Sequence, residues 1–142
     1  MLEVRGIDNG IVLDHIKQGN GIKIFNKLFA HQNLPVVLLM NVESKRIGKK
    51  DIIKIEGNVD LDLSLLGLID NGITVAYISH GAITEKANVT IPKKVKGLFQ
   101  CKNPRCITHT DDYAISEFKL VSANGKFEYE CDYCEEITVY RL

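Results

Sequence analysis

The sequence predicts an α+β protein in two parts, and three observations carry that expectation. All four cysteines fall late, at Cys101, Cys106, Cys131 and Cys134, while the first hundred residues contain none. Ahead of them, short apolar runs alternate with two stretches of helical periodicity; after them only strand-like runs occur. Between the two lies Pro92-Lys-Lys-Val-Lys-Gly97, whose proline, three lysines and glycine suit an exposed connection. The expected domains are therefore residues 1–92 and 97–142. A domain of about 90 residues can build its own core, whereas one of about 45 needs a staple, and the cysteines are the candidate.

The elements follow in order. Ile11-Val12-Leu13 is an apolar run ending in Asp14-His15 and reads as a buried strand. Ile22, Phe25, Leu28 and Phe29 fall on one helical face; Asn20 is the expected N-cap, and Gln32-Asn33-Leu34-Pro35 ends the helix because a residue before proline avoids the α region. Val36 to Val42 is a second strand, and Asp51 to Glu56, after a Gly48 turn, a third. Asp62 to Ile69 fits a second helix, with Asp60 and Asp62 favourable at its N-terminus and Asp70-Asn71-Gly72 as its stop. Ile73 to Ile78 supplies a fourth strand. The order βαββαβ is that of a ferredoxin-like sheet with its helices on one face. In the second part, Glu117 to Val121 and Lys126 to Glu130 flank Ser122-Ala123-Asn124-Gly125, a hairpin signal, and Ile137 to Leu142 reads as a last strand.

Composition removes several classes of function. Of 142 residues, 45% are hydrophobic and 25% charged, so the chain should fold rather than stay disordered. Its 18 basic and 18 acidic residues cancel. They cancel locally as well, with ten of each in residues 1–92 and eight of each in residues 93–142, so the basic excess of a typical nucleic-acid binder is missing. The longest apolar run, Val36 to Met40, stops at Asn41, far short of the roughly 20 residues of a membrane helix. The opening Met-Leu-Glu-Val-Arg lacks the pattern of a secretory signal, so a cytoplasmic location with reduced cysteines is expected.

The chemistry sits in the cysteines. Cys101-Lys-Asn-Pro-Arg-Cys106, 24 residues, then Cys131-Asp-Tyr-Cys134 gives two close pairs with a hairpin between them, the spacing of a tetrahedral zinc site. Four thiolates on Zn²⁺ leave a charge near −2, which Lys102, Arg105 and Lys126 can offset. Catalytic zinc keeps an open position, whereas four sulfurs close the shell, so this zinc is read as structural. His109, three residues past Cys106, is a possible substitute ligand, with a surface histidine as the plainer reading.

The first part carries subtler features. Asp14 and His15 invite a general-base reading, but neighbours on a strand face opposite ways, so a catalytic pair is not expected. Lys50 and Lys54 share one face, their Cα atoms about 13 Å apart, a span that suits an extended anion as well as a solvated charged face. Lys45, Arg46, Lys49 and Lys86 add positive potential. Neither the P-loop nor the dinucleotide-binding glycine pattern is present.

Four stretches in this order and spacing, VRGIDNGIVLDHI from Val4, IGKKDIIKIE from Ile47, CKNPRCITH from Cys101 and CDYC from Cys131, resemble the regulatory chain of aspartate carbamoyltransferase over essentially the whole length. The resemblance implies a non-catalytic subunit of an enzyme of pyrimidine biosynthesis. It implies an N-terminal domain that binds ATP, CTP or UTP and forms regulatory homodimers, and one structural zinc per chain in a domain that docks on the catalytic chain. In the implied holoenzyme, three regulatory dimers bridge two catalytic trimers. By the same resemblance, Gly6 and Ile7 meet the base through backbone groups, while Asp14, His15, Lys50, Lys54 and Lys86 line the ribose and triphosphate. Ala76 and Gly81 depart from an asparagine and a tyrosine of the family, and the lead segment Met1 to Glu3 is short. The alternative reading is a zinc-ribbon nucleic-acid-binding protein using Lys93, Lys94, Lys96, Lys102 and Arg105; a small enzyme built on Asp14 and His15 is a third.

Overall fold

The computed structural model describes residues 6–45, 47–59, 61–123 and 126–140. The chain divides into two compact units, Met1–Thr90 and Ile91–Leu142. Unit one contains β1 (Gly10–Lys17), α1 (Asn20–Ile24, continuing as a wide π turn over Phe25–Phe29), β2 (Val36–Ser44), β3 (Gly48–Glu56), α2 (Leu63–Ile69), β4 (Thr74–Ser79) and β5 (Ala82–Asn88). The sheet order is β2-β3-β1-β4-β5, every described neighbour pair antiparallel. The first four strands and two helices have the ferredoxin-like arrangement; β5 extends the sheet beyond β4.

Period-two alternation decides which face is covered. Ile11 and Leu13 of β1, Ile53 and Ile55 of β3, and Val75 of β4 are buried, and Ile24, Phe29, Leu66 and Ile69 from the helical segments close over them. The intervening residues Val12, Asp14, Lys50, Ile52, Lys54 and Ala76 therefore lie on the opposite face. Among the described residues no helix packs there.

One expectation is corrected in α1. Gly19, not Asn20, is the N-cap, in the left-handed region at φ 94° and with no side-chain cap; Asn20 is the first helical residue and is buried. The cap comes instead from Asp51 on β3. Its fully buried carboxylate accepts the amides of Gly19 and Gly21, both 3.0 Å, and of Asn41, 3.0 Å. A second buried carboxylate, Asp70 after α2, accepts the Lys17 amide at 2.7 Å, the Asn20 side chain at 3.3 Å and the Gly72 amide at 2.9 Å. Strand, loop and both helices are thus tied by carboxylates distant in sequence. Asp51→Ala leaves three backbone donors without their acceptor, and at about 1–3 kcal/mol each a loss of at least about 3 kcal/mol is expected in denaturant unfolding of this unit. A loss below about 1 kcal/mol would show that the loop is held some other way.

Elsewhere the expected elements form. Asp62 caps α2, its carboxylate accepting the Ser64 and Leu65 amides at 3.0 and 3.1 Å; the companion Asp60 lies outside the described residues. Strand β5 was not expected from the sequence. It is an edge strand in which only Ala87 is half-buried, so it carries little apolar alternation.

Unit two is a four-stranded antiparallel sheet, β6 (Lys94–Lys96), β7 (Glu117–Ser122), β8 (Phe127–Cys131) and β9 (Ile137–Tyr140), in that order. The stretch read as a connection contributes β6, whose Val95 is buried against the sheet while Lys94 and Lys96 stay exposed. Phe118 and Tyr129 are buried, Phe99 stacks on Phe118 with centroids 4.4 Å apart, and the Tyr129 hydroxyl donates to the Pro92 carbonyl at 2.8 Å. β7 and β8 pair as the hairpin requires; Asn124-Gly125, and Leu142 of the last strand, lie outside the described residues.

Candidate functional site

Four sulfurs converge in unit two. The Sγ atoms of Cys101, Cys106, Cys131 and Cys134 all lie within 4.8 Å of one another, with Cys101 to Cys134 at 3.6 Å and Cys106 to Cys131 at 3.8 Å. Sulfurs bonded to one tetrahedral ion at about 2.3 Å stand about 3.8 Å apart, while a disulfide would need about 2.05 Å. The spacing fits a shared metal ion and no disulfide. β8 ends in Cys131, the turn beyond it presents Cys134, and the Cys101–Cys106 loop comes from the connection between β6 and β7.

Electrostatics agree with a demand for a cation. Burial, against the pull of the Asn103 amide, pushes Cys101 up to about 12, with the neighbouring thiols adding to the rise. Burial likewise raises Cys131, while the Thr108 hydroxyl and amide hold Cys106 down at about 7. Thiols so disposed do not all ionise together without a positive ion among them, and a divalent metal binds them as thiolates. His109 is not presented to the cluster as a ligand: its Nε2 lies 2.7 Å from the Cys101 carbonyl, and since a carbonyl only accepts, that nitrogen carries the proton. Lys102 is paired with Glu136 at 3.5 Å rather than left free to offset the sulfurs.

Unit one gathers four charged residues, Asp14, Lys50, Lys54 and Lys86, on the helix-free face. Asp14 and Lys50 form an ion pair of 2.9 Å, and the Asp14 carboxylate also accepts the His15 amide at 2.6 Å. Burial raises the Asp14 pKa, but the Lys50 ammonium and the His15 amide outweigh it and hold this carboxyl below its ordinary value of 3.8. A depressed carboxylate stabilises the fold above its unfolded pKa and loses that contribution as pH falls through the folded one. Asp14→Asn should therefore make the acid limb of unfolding shallower below about pH 4, measured by urea unfolding from pH 7 to 2. An unchanged limb would contradict the pairing.

Register places the lysines. Lys54 faces Val37 on one side and Val12 on the other, Val12 faces Ala76, and Ala76 faces Lys86, so one cross-strand row runs Val37-Lys54-Val12-Ala76-Lys86. Three strand spacings put Lys54 and Lys86 about 14 Å apart, with a small apolar floor between. Ala76 is almost buried in that floor. Gly6 and Ile7 line a depression of about 190 Å³ with Val37, Lys54 and Glu56. The structure thus brings Asp14, Lys50, Lys54 and Lys86 to one face, with Gly6 and Ile7 at one end of it.

His15 is set apart. β1 bulges between Leu13 and Ile16, where two residues oppose Ile52, and His15 takes φ 58°. The bulge breaks the simple alternation and turns His15 into a cavity of about 480 Å³ with Lys17, Gln18 and Lys49. Its Nδ1 is buried with no hydrogen-bond partner among the described residues, so no imidazole–carboxylate pair forms with Asp14. Gly81 sits in a two-residue turn with His80, at φ 78° and 51°; positive φ at both centres suits type I′, a geometry that glycine adopts without strain. Sequence reasoning missed Asp51 and Asp70, which brace β1 and β3 from the covered face; single acidic residues amid apolar ones were the only available signal.

Fold and site together define a class, a two-module metal protein with a lysine-rich sheet face in one module and a closed four-sulfur centre in the other. Residues 2–90 match the family model described as aspartate carbamoyltransferase regulatory chain, allosteric domain, and residues 93–141 the model for its metal binding domain. Proteins named aspartate carbamoyltransferase regulatory chain are similar over nearly their full length. That of Clostridium tetani is 50% identical over 139 residues, covering 96% of each chain. That of Clostridium botulinum is 48% identical over 139 residues, covering 96% of this chain and 94% of the relative, and that of Bifidobacterium longum 40% over 136, covering 95% and 97%. The chain belongs to the family of aspartate carbamoyltransferase regulatory chains, and is a non-catalytic subunit.

Proposed function

We propose that this chain binds nucleoside triphosphates on the helix-free face of unit one and conveys their effect to catalytic chains held by unit two. The observation that carries the reading is the gathering of Asp14, Lys50, Lys54 and Lys86 on one open sheet face, in the unit that matches an allosteric domain. Gly6 and Ile7 hold the base through backbone groups, while Asp14, Lys50, Lys54 and Lys86 line the ribose and triphosphate. Lysine ammonium groups suit phosphate as mobile point charges. The ligands are ATP, CTP and UTP. Calorimetric titration of each into the full chain tests the reading: saturable binding of at least one is expected, and heat-silent titrations at millimolar nucleotide would remove it.

Residues 91–142 form the docking domain, and its ion is one structural Zn²⁺, since a set of four clustered thiolates favours a soft tetrahedral ion over calcium or magnesium. Ile107, Tyr113, Ile115 and Tyr133, on the cysteine-bearing turns and the loop that follows, are about half exposed or more, which suits a surface completed by another protein. Regulatory chains pair as dimers, and three dimers bridge two catalytic trimers in the cytoplasm, where thiolates stay reduced. Binding nucleic acid is disfavoured by the acidic partners of the basic residues: Lys96 pairs with Glu117, and Lys102 with Glu136, both at 3.5 Å.

An effector shifts the catalytic equilibrium only as far as it binds the two quaternary states unequally. Couplings are typically about 1–3 kcal/mol, or 5–150-fold, and reciprocal, so an active-site ligand must change nucleotide affinity by the same factor.

A further inference from the structure

We propose that Thr108 is a positioning residue of the metal centre, its hydroxyl donating to the Cys106 sulfur and tightening metal binding from outside the four ligands. The inference rests on the reading that the four cysteines hold a divalent ion. Thr108 Oγ1 lies 3.2 Å from Cys106 Sγ. A metal-bound thiolate only accepts, so the hydroxyl donates.

The hydroxyl is held in place by the short 3-10 turn Ile107–His109. The His109 amide donates to the Cys106 carbonyl at 3.0 Å, and the His109 ring donates to the Cys101 carbonyl at 2.7 Å. This turn therefore grips both ends of the first cysteine pair. Cys101 and Cys131 receive backbone amides, from Asn103 and from Tyr133 and Cys134 respectively. Cys106 receives the Thr108 amide and, in addition, a side-chain hydroxyl. Four thiolates on a divalent ion leave two excess negative charges in a buried place, and a directed O–H dipole spreads that charge. Residues that hydrogen-bond metal ligands commonly contribute about 10–100-fold to affinity.

Thr108→Val keeps the shape and removes the donor, while Thr108→Ser restores the donor and removes the methyl group. In the full chain, competition with a chromophoric chelator should show Zn²⁺ affinity lowered about tenfold in the valine variant and restored in the serine variant. With Co²⁺ loaded instead, the sulfur-to-cobalt charge-transfer band should move to lower energy in the valine variant alone, because a sulfur without that hydrogen bond gives up an electron more readily. The cobalt spectrum is read on the loaded protein, so it reports even if the valine variant is poorly folded without metal. Wild-type affinity and an unmoved band in Thr108→Val would overturn the inference, as would a serine variant as weak as the valine one. A wild-type chain that binds neither metal would overturn the metal reading beneath it, an outcome distinct from either.

Discussion

Replacing Cys131 by Ser should release the metal and unfold residues 91–142 while residues 1–90 keep their fold. Cys131 closes β8, is fully buried, faces Phe118 across the sheet and lies 3.8 Å from Cys106. Serine is a hard, poorly ionised ligand in place of a thiolate, and it leaves three sulfurs with an open position. Apparent binding free energies for structural zinc in small modules are about 10–16 kcal/mol, and in such modules binding free energy is folding free energy. The apolar contribution is small: among the described residues the sheet buries Val95, Phe118 and Tyr129, with Phe99 beside them, besides its cysteines. Unit one does not depend on the metal, since its buried core joins residues of β1, β3 and β4 with both helical segments. Metal analysis should find the zinc lost, and thermal unfolding should retain one transition of two. A Cys131→Ser chain that keeps both transitions would mean that packing, not metal, holds the second unit. Wild-type metal affinity should also fall as pH is lowered, because protons compete for the same sulfurs.

The second large effect is expected at Lys86. It lies on edge strand β5, exposed, at the end of the row that begins with Val37 and Lys54, and Ala76 beside it is too small to reach a phosphate. Lys86→Ala should therefore weaken nucleotide binding with no change in zinc content or thermal stability. A charge-assisted hydrogen bond to phosphate is worth about 1.5–3 kcal/mol, so the dissociation constant should rise roughly 10–150-fold. The ion-paired Lys50 makes a less clean test, since its loss also strands Asp14. Unchanged affinity in Lys86→Ala would place the phosphates elsewhere.

What the sequence revealed and what it hid have physical causes. The cysteine cluster was legible because thiolate spacing encodes the ion directly; Cys101 and Cys131, thirty residues apart, needed only the hairpin between them. The sheet face was legible in part, since period-two spacing put Lys50 and Lys54 together, but their alignment with Lys86 depends on a register that no local pattern records. The β1 bulge was hidden as well, and it governs where His15 goes. Strand β5 escaped because an edge strand exposes nearly all its side chains and shows no apolar alternation. Asn20 was read as a cap because its residue type suits one; the actual cap, Asp51, comes from 32 residues beyond Gly19 and is a tertiary fact.

A regulatory subunit whose metal-held unit attaches it to catalytic chains should join them only while its metal is bound. The most direct test is the molar mass, by light scattering on a sizing column, of the chain mixed with its cognate catalytic trimer, first zinc-loaded and then after chelation. A single large assembly that requires zinc and falls apart into trimer and free chain on chelation is the predicted result. Separate elution of the zinc-loaded chain and the trimer would contradict it.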